Sequence, residues 1–153
     1  MMSSLASMIP GADAWPKFTR NKSEQFEARF ASVEIQSSPS IFFAGMEGSR
    51  IPVAVAHGEG FADFSQQSNV ANALVAMRFV DNQGAATERY PLNPNGSPEG
   101  ITSVTTPDGR FTVLMPHMER VHRNVQMSWT PADWTGDASP WLRVFQNARR
   151  WVG

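Results

Sequence analysis

The chain has 153 residues, enough for one domain with a sizeable core, and 41% of them are apolar. Thirteen basic residues oppose fourteen acidic ones, interspersed rather than blocked, so the formal net charge is -1 and nothing marks a nucleic-acid partner. The absence of cysteine excludes a disulfide framework, a thiolate metal site and a thiol nucleophile within these residues. No apolar run approaches the ~20 residues that span a bilayer, and Met1 to Pro10 carries no basic n-region, so a soluble, cytoplasmic chain without a membrane partner is expected.

Apolar residues at positions 1, 2, 5, 8 and 9 have helical spacing, and Pro10-Gly11 stops the run. No capping residue precedes its first turn, as in a helix entered in mid-course. Phe30, Val33 and Ile35 suit a strand within Phe26 to Gln36, and Ser40 to Ala44 suits another. Ile51 to Ala56 is a β-rich apolar run of the kind found in a sheet covered on both faces, and it delivers the chain into His57-Gly58-Glu59-Gly60. Ala71 to Val80 reads as a short helical turn leading into a strand that ends at Asp81-Asn82-Gln83-Gly84. Tyr90 to Gly100, with three Pro, two Asn and two Gly, is a loop of fixed shape. Ile101 to Thr105 and Phe111 to Met115 flank Pro107-Asp108-Gly109 as a β-hairpin. The tail from Pro140 spaces Trp141, Val144, Phe145, Ala148 and Trp151 as one face of an amphipathic helix, with Arg143, Arg149 and Arg150 outside. No repeat or linker divides residues 1-153.

Two segments could carry chemistry. In Met115-Pro116-His117-Met118-Glu119 a strand stops at a proline and presents a histidine with a carboxylate two residues later. A histidine becomes a useful general base when a second group fixes its tautomer and favours the imidazolium that forms, and the spacing permits Glu119 to do both for His117. The same spacing equally describes a surface histidine followed by a first-turn acid. In His57-Gly58-Glu59-Gly60, two glycines around a carboxylate let backbone approach a ligand, or simply form a tight turn. His57, Glu59, His117, Glu119 and His122 lack a short metal-ligand spacing such as H-E-x-x-H, so no metal is expected. Gly45 to Arg50 has neither the P-loop lysine nor the dinucleotide spacing, and Ser3, Ser4, Ser7 and Ser23 sit in no G-x-S-x-G context. A nucleophile to match the His/Glu pair is missing.

The strings Arg20-Asn21-Lys22-Ser23-Glu24-Gln25-Phe26-Glu27-Ala28-Arg29-Phe30, Gly45-Met46-Glu47-Gly48-Ser49-Arg50, His57-Gly58-Glu59-Gly60, Tyr90-Pro91-Leu92-Asn93-Pro94-Asn95-Gly96-Ser97-Pro98, Met115-Pro116-His117-Met118-Glu119-Arg120 and Ser139-Pro140-Trp141 follow one another in a telling order. Together they resemble the C-terminal glutamine amidotransferase domain of the large, single-chain phosphoribosylformylglycinamidine synthases over nearly the whole chain. The resemblance implies a partial class I amidotransferase domain: an α/β, flavodoxin-like, three-layer fold with the sheet flanked by helices. It implies a carbon–nitrogen ligase that uses glutamine as amide donor. In that family a cysteine thiolate attacks glutamine, and the released ammonia passes to an ATP-dependent synthetase domain, which converts formylglycinamide ribonucleotide to its amidine in purine biosynthesis.

Carried over residue by residue, His117 is the base and Glu119 its partner, and His57, Gly58, Glu59 and Gly60 are candidates for substrate binding. The family often has proline where this chain has Met118. The implied partners are glutamine and the synthetase domain, and ATP and Mg2+ belong to that domain, leaving no cofactor in this segment. Because Met1-Met2-Ser3 looks like the helix start that follows the family's cysteine, the chain is expected to begin just past its nucleophile, with uncovered strands that promote self-association. A non-catalytic interaction module retaining the fold is the alternative. Since a thiolate starts the family's acyl transfer, the 153-residue chain by itself should turn over no glutamine above a His117→Ala control in an ammonia-release assay.

Overall fold

The computed structural model describes residues 2–67 and 70–153. Met1, part of the expected opening helix, lies outside them. The helix itself is present over Met2–Met8, but wound as a 3-10 helix. Gly11, at a φ of +80° that favours glycine, then turns the chain so that Ala12 and Trp15 enter the interior.

Strand β1 (Lys17–Thr19) pairs with β4 (Phe61–Asp63) in a small two-stranded sheet. The main sheet holds β2 (Glu27–Ile35), β3 (Arg50–His57), β5 (Leu74–Phe79), β6 (Ile101–Thr105) and β7 (Thr112–Leu114). Its order is β3-β2-β5-β6-β7, every neighbour is antiparallel, and the longest ladder runs from Glu27↔His57 to Glu34↔Arg50. Helix α1 (Leu142–Val152) follows. One core gathers Val33, Ile35, Ile51, Val53, Met77 and Phe79 with Phe43, Trp141 and Val144. A second gathers Ile101, Val104 and Val113 with Trp15, Ala62 and Phe64, and Ala6 and Ile9 of the opening turns pack on it. The result is a mixed α/β domain with a curled sheet and few helices. Helical elements lie over one core and the opening 3-10 helix over the other.

The sequence-based strand at Ser40 to Ala44 is a 3-10 turn, Ile41–Phe43. Five residues are too few for periodicity to separate the two. The carbonyls of Phe42 and Ala44 are taken by the Asn147 side chain of α1, both at 2.9 Å, instead of by a neighbouring strand.

The run expected to be covered on both faces alternates: Ile51, Val53, Val55 and His57 are buried, whereas Pro52, Ala54 and Ala56 are half-buried. It is β6 that is buried at all five positions. Strand β3 is an edge, but it is not left open as the sequence suggested. Pro52 has no N–H to leave unpaired, its carbonyl accepts a hydrogen bond from Trp141 Nε1 at 2.7 Å, and the Ala54 carbonyl accepts the His117 N–H at 2.7 Å.

On α1, Trp141 and Val144 point inward and Arg143, Arg149 and Arg150 outward as the spacing implies. Asn147, not Phe145, continues the buried stripe; Phe145 and Trp151 are 43% and 53% exposed.

Trp141 both fills the core and caps an edge carbonyl. Trp141→Ala should therefore cost roughly 3–5 kcal/mol, the range for buried Trp truncation, read as a lower denaturant midpoint with an unchanged m-value. A loss under about 1 kcal/mol would show that the helix does not anchor the edge.

Candidate active site

The chain leaves β7 through Met115 and Pro116 and reaches the opposite edge of the sheet, where His117 forms an isolated antiparallel bridge with Ala54. Pro116 removes an N–H and stops the ladder. The next residues turn tightly as a 3-10 segment, Met118–Val121. That turn swings Glu119 back, and its Oε1 lies 2.7 Å from His117 Nδ1. A carboxylate only accepts, so Nδ1 carries the proton and Nε2 presents its lone pair. Among the described residues no group hydrogen-bonds to Nε2. The pair sits at the surface, with side-chain exposures of 30% for His117 and 56% for Glu119, where a substrate could reach it. Ser139 and His122 brace this turn from behind: Ser139 Oγ donates to the Val121 carbonyl, and the Ser139 N–H to the His122 carbonyl at 2.9 Å.

The His57 to Gly60 segment lies next to this seam, but its histidine faces inward. His57 is only 7% exposed, and its Nδ1 is 3.2 Å from the Met115 carbonyl. Burial, chiefly, lowers its pKa from 6.5 to about 4; the His117 ring pushes the same way, and the Met115 hydrogen bond and Glu27 oppose it. Gly60 is buried against the ring: a Cβ there would lie 2.1 Å from His57 Nε2. Glu59 is exposed and Gly58 half-buried.

Asn21 was legible only as part of a family string, yet it holds this loop. Its Nδ2 donates to the carbonyls of His57 at 2.8 Å and Gln25 at 3.0 Å, and its Oδ1 accepts the Gly60 N–H at 2.9 Å. Glu27, 1% exposed, stands across the ladder from His57 and pairs with Arg29 at 2.5 Å. Arg29 in turn reaches the Tyr90 hydroxyl at 2.9 Å. A carboxylate in a predominantly polar string gave no sign that it would be buried. A cavity of about 420 Å³ lined by Lys22, Gln25, Glu88, Tyr90 and Asn93 lies beyond this loop, and neither His117 nor Glu119 lines it. Among the described residues no three His, Cys, Asp or Glu side chains gather as a metal site would require.

A curled, antiparallel sheet therefore leads into a histidine–glutamate pair at its far edge. Residues 1–152 match the model of the CobB/CobQ-like glutamine amidotransferase domain, and the chain belongs to that family. Among solved structures it is similar to PurLQS from Thermotoga maritima, with a TM-score of 0.64 and 22% sequence identity. That match covers 90% of this chain and 53% of the other, so this chain spans about half the length of the chain it resembles. The likeness is one of fold.

The lowered His57 pKa sets a pH window. The unfolded chain takes up this proton near pH 6.5 and the folded one near 4, so the stabilisation is complete above about 6.5 and is lost as pH falls towards 4. Wild type should lose up to about 3 kcal/mol from this group between pH 7 and 4.5, while a His57→Gln variant should show a flatter profile in parallel denaturant titrations.

Proposed function

We propose that this chain is the glutaminase part of a phosphoribosylformylglycinamidine synthase. It would hydrolyse glutamine to supply ammonia for the ATP-dependent conversion of formylglycinamide ribonucleotide to its amidine. The observation that carries the reading is the 2.7 Å contact between His117 Nδ1 and Glu119 Oε1 at an exposed strand end. The order of family strings along the chain and the fold likeness to PurLQS support it.

In this reading Glu119 holds the Nδ1–H tautomer, leaving Nε2 to take the proton of a thiol. The thiolate adds to the side-chain amide carbon of glutamine. The C–N bond breaks as the imidazolium returns its proton to the leaving nitrogen, giving ammonia and a thioester. Water, deprotonated by the same Nε2, then cleaves the thioester to glutamate and restores the thiol. The thiol comes from outside these residues. Met2 and Ser3 line one cavity together with Leu114 and Met115, so a segment joined ahead of Met2 would run beside the strand end that carries His117. ATP and Mg2+ belong to the synthetase part, and no residue here is assigned to them.

The test is to read and express the sequence encoded upstream of Met1. A Gly-x-Cys-x-Gly-Cys-Gln segment is expected there. The extended protein should release ammonia from glutamine, and His117→Ala should slow this by roughly 10²–10⁴-fold, the span of general acid–base catalysis. A cysteine-bearing extension whose turnover ignores His117 would overturn the reading. The zero cysteine count favours one other reading, a non-catalytic module that docks on a synthetase. An upstream region without cysteine, in a chain that still binds a synthetase partner, would support it.

A further inference from the structure

Strand β3 points its odd-numbered residues inward, so the pattern that buries Ile51, Val53 and Val55 also carries His57 into the interior at the strand's end. There the ring has little freedom. Asn21 grips the backbone on both sides of Gly58, and the Gly60 backbone lies flat against the ring edge, where a Cβ would stand 2.1 Å from Nε2. The Met115 carbonyl can only accept, so the His57 proton resides on Nδ1. Nε2 is buried and has no partner among the described residues, so a second proton there would find no acceptor among them, and the neutral ring is the form the site holds at neutral pH.

The partner of this bond explains its use. The Met115 N–H is held by the Thr102 carbonyl at 3.2 Å, on the β6 side. The Met115–Pro116 peptide has no N–H, so its carbonyl is the group of that peptide by which the chain can be tied to β3 just before His117. After the proline, the His117 N–H bonds to the Ala54 carbonyl at 2.7 Å. Strand β3 thus holds the Pro116 turn on both sides, through the His57 ring before it and the Ala54 carbonyl after it.

We propose that His57 is a positioning residue for His117. By holding the Met115 carbonyl against β3, its Nδ1–H sets where the His117 imidazole stands and which ring nitrogen faces outward. The importance of that orientation rests on the base role proposed above, but the measurement does not require turnover.

The test uses the full 153-residue chain with ¹⁵N-labelled histidine, following the His117 ring nitrogens by NMR and the His117 amide by hydrogen exchange. Asn places its amide nitrogen near the position of histidine Nδ1, whereas Gln places its own near Nε2. His57→Asn should keep a single Nδ1–H tautomer at His117 and a protected amide. His57→Gln and His57→Leu should give mixed tautomers and roughly tenfold faster exchange at the His117 amide, on the scale of one hydrogen bond. The Trp141 indole and the α1 amides should not change. The proposal fails if His57→Leu leaves the His117 tautomer and exchange at wild-type values, or if His57→Asn does no better than His57→Gln. Should His57→Leu not fold, the Asn and Gln pair decides alone. In the cysteine-bearing extended protein, His57→Leu should lower kcat with KM unchanged. If that protein is inactive while the NMR result holds, the glutaminase reading fails and the positioning role stands.

Discussion

Two hydrogen bonds, from His57 Nδ1 to the Met115 carbonyl and from the His117 N–H to the Ala54 carbonyl, join the end of β7 to β3 at opposite edges of the main sheet. An open sheet has two unpaired edges, each a template for association. Here the segment leaving one edge covers part of the other. Trp141 completes the cover from α1 by taking the Pro52 carbonyl. Each bond is worth only about 0.5–1.5 kcal/mol net, but leaving its carbonyl buried and unpaired would cost about 1–3 kcal/mol. The seam persists for that reason, and the surface pair His117–Glu119 is built on it.

Much of the scaffolding around the seam is side-chain hydrogen bonding rather than secondary structure. Asn93 donates to the carbonyls of Thr87 and Ser97, both at 2.9 Å, and accepts the Gly96 N–H at 2.9 Å. Ser97 Oγ accepts the Ala62 N–H at 2.9 Å, which ties the loop to β4. The backbone of Lys22 joins the Asn95 carbonyl at 3.1 Å, beside the Asn21 clamp. Asn93, Asn95 and Ser97 are buried, so the loop has the fixed shape that its prolines and glycines suggested. What holds that shape is amide chemistry inside the fold.

The strands of the main sheet were legible from β-rich apolar composition and from the turn residues that bound them: β2, β3, β5 and the β6–β7 hairpin stand where these place them, whereas the three-residue strands β1 and β4 are too short to leave such a signal. Ser40 to Ala44 was not, because its partner is a side chain 103 to 105 positions away rather than a strand. The helical face of α1 was read from bulk, which picked Phe145 and Trp151. Asn147 holds the buried position because two orphaned carbonyls need its amide, a need invisible before the tertiary structure exists. His117 and Glu119 were legible as a pair from spacing and family resemblance, and the structure brings them into contact. The inward turn of His57 could have been read from the parity of Ile51, Val53 and Val55; its loop glycines drew attention to ligand contact instead.

The seam also carries a kinetic implication. Its bond between His57 and Met115 closes across 58 positions of sequence, whereas the β2–β3 and β6–β7 ladders can start from the nearer pairs Glu34↔Arg50 and Thr105↔Thr112. Contacts of long sequence separation bear the greater loop-closure entropy and tend to form after local ones. The hairpins can therefore assemble while His117 is still unplaced, and the histidine is set only when the curled sheet shuts. A collapsed chain with all its strands formed but its edges apart would leave the His117 imidazole without its place against β3. In this architecture the orientation of the surface imidazole reports that the whole sheet has closed.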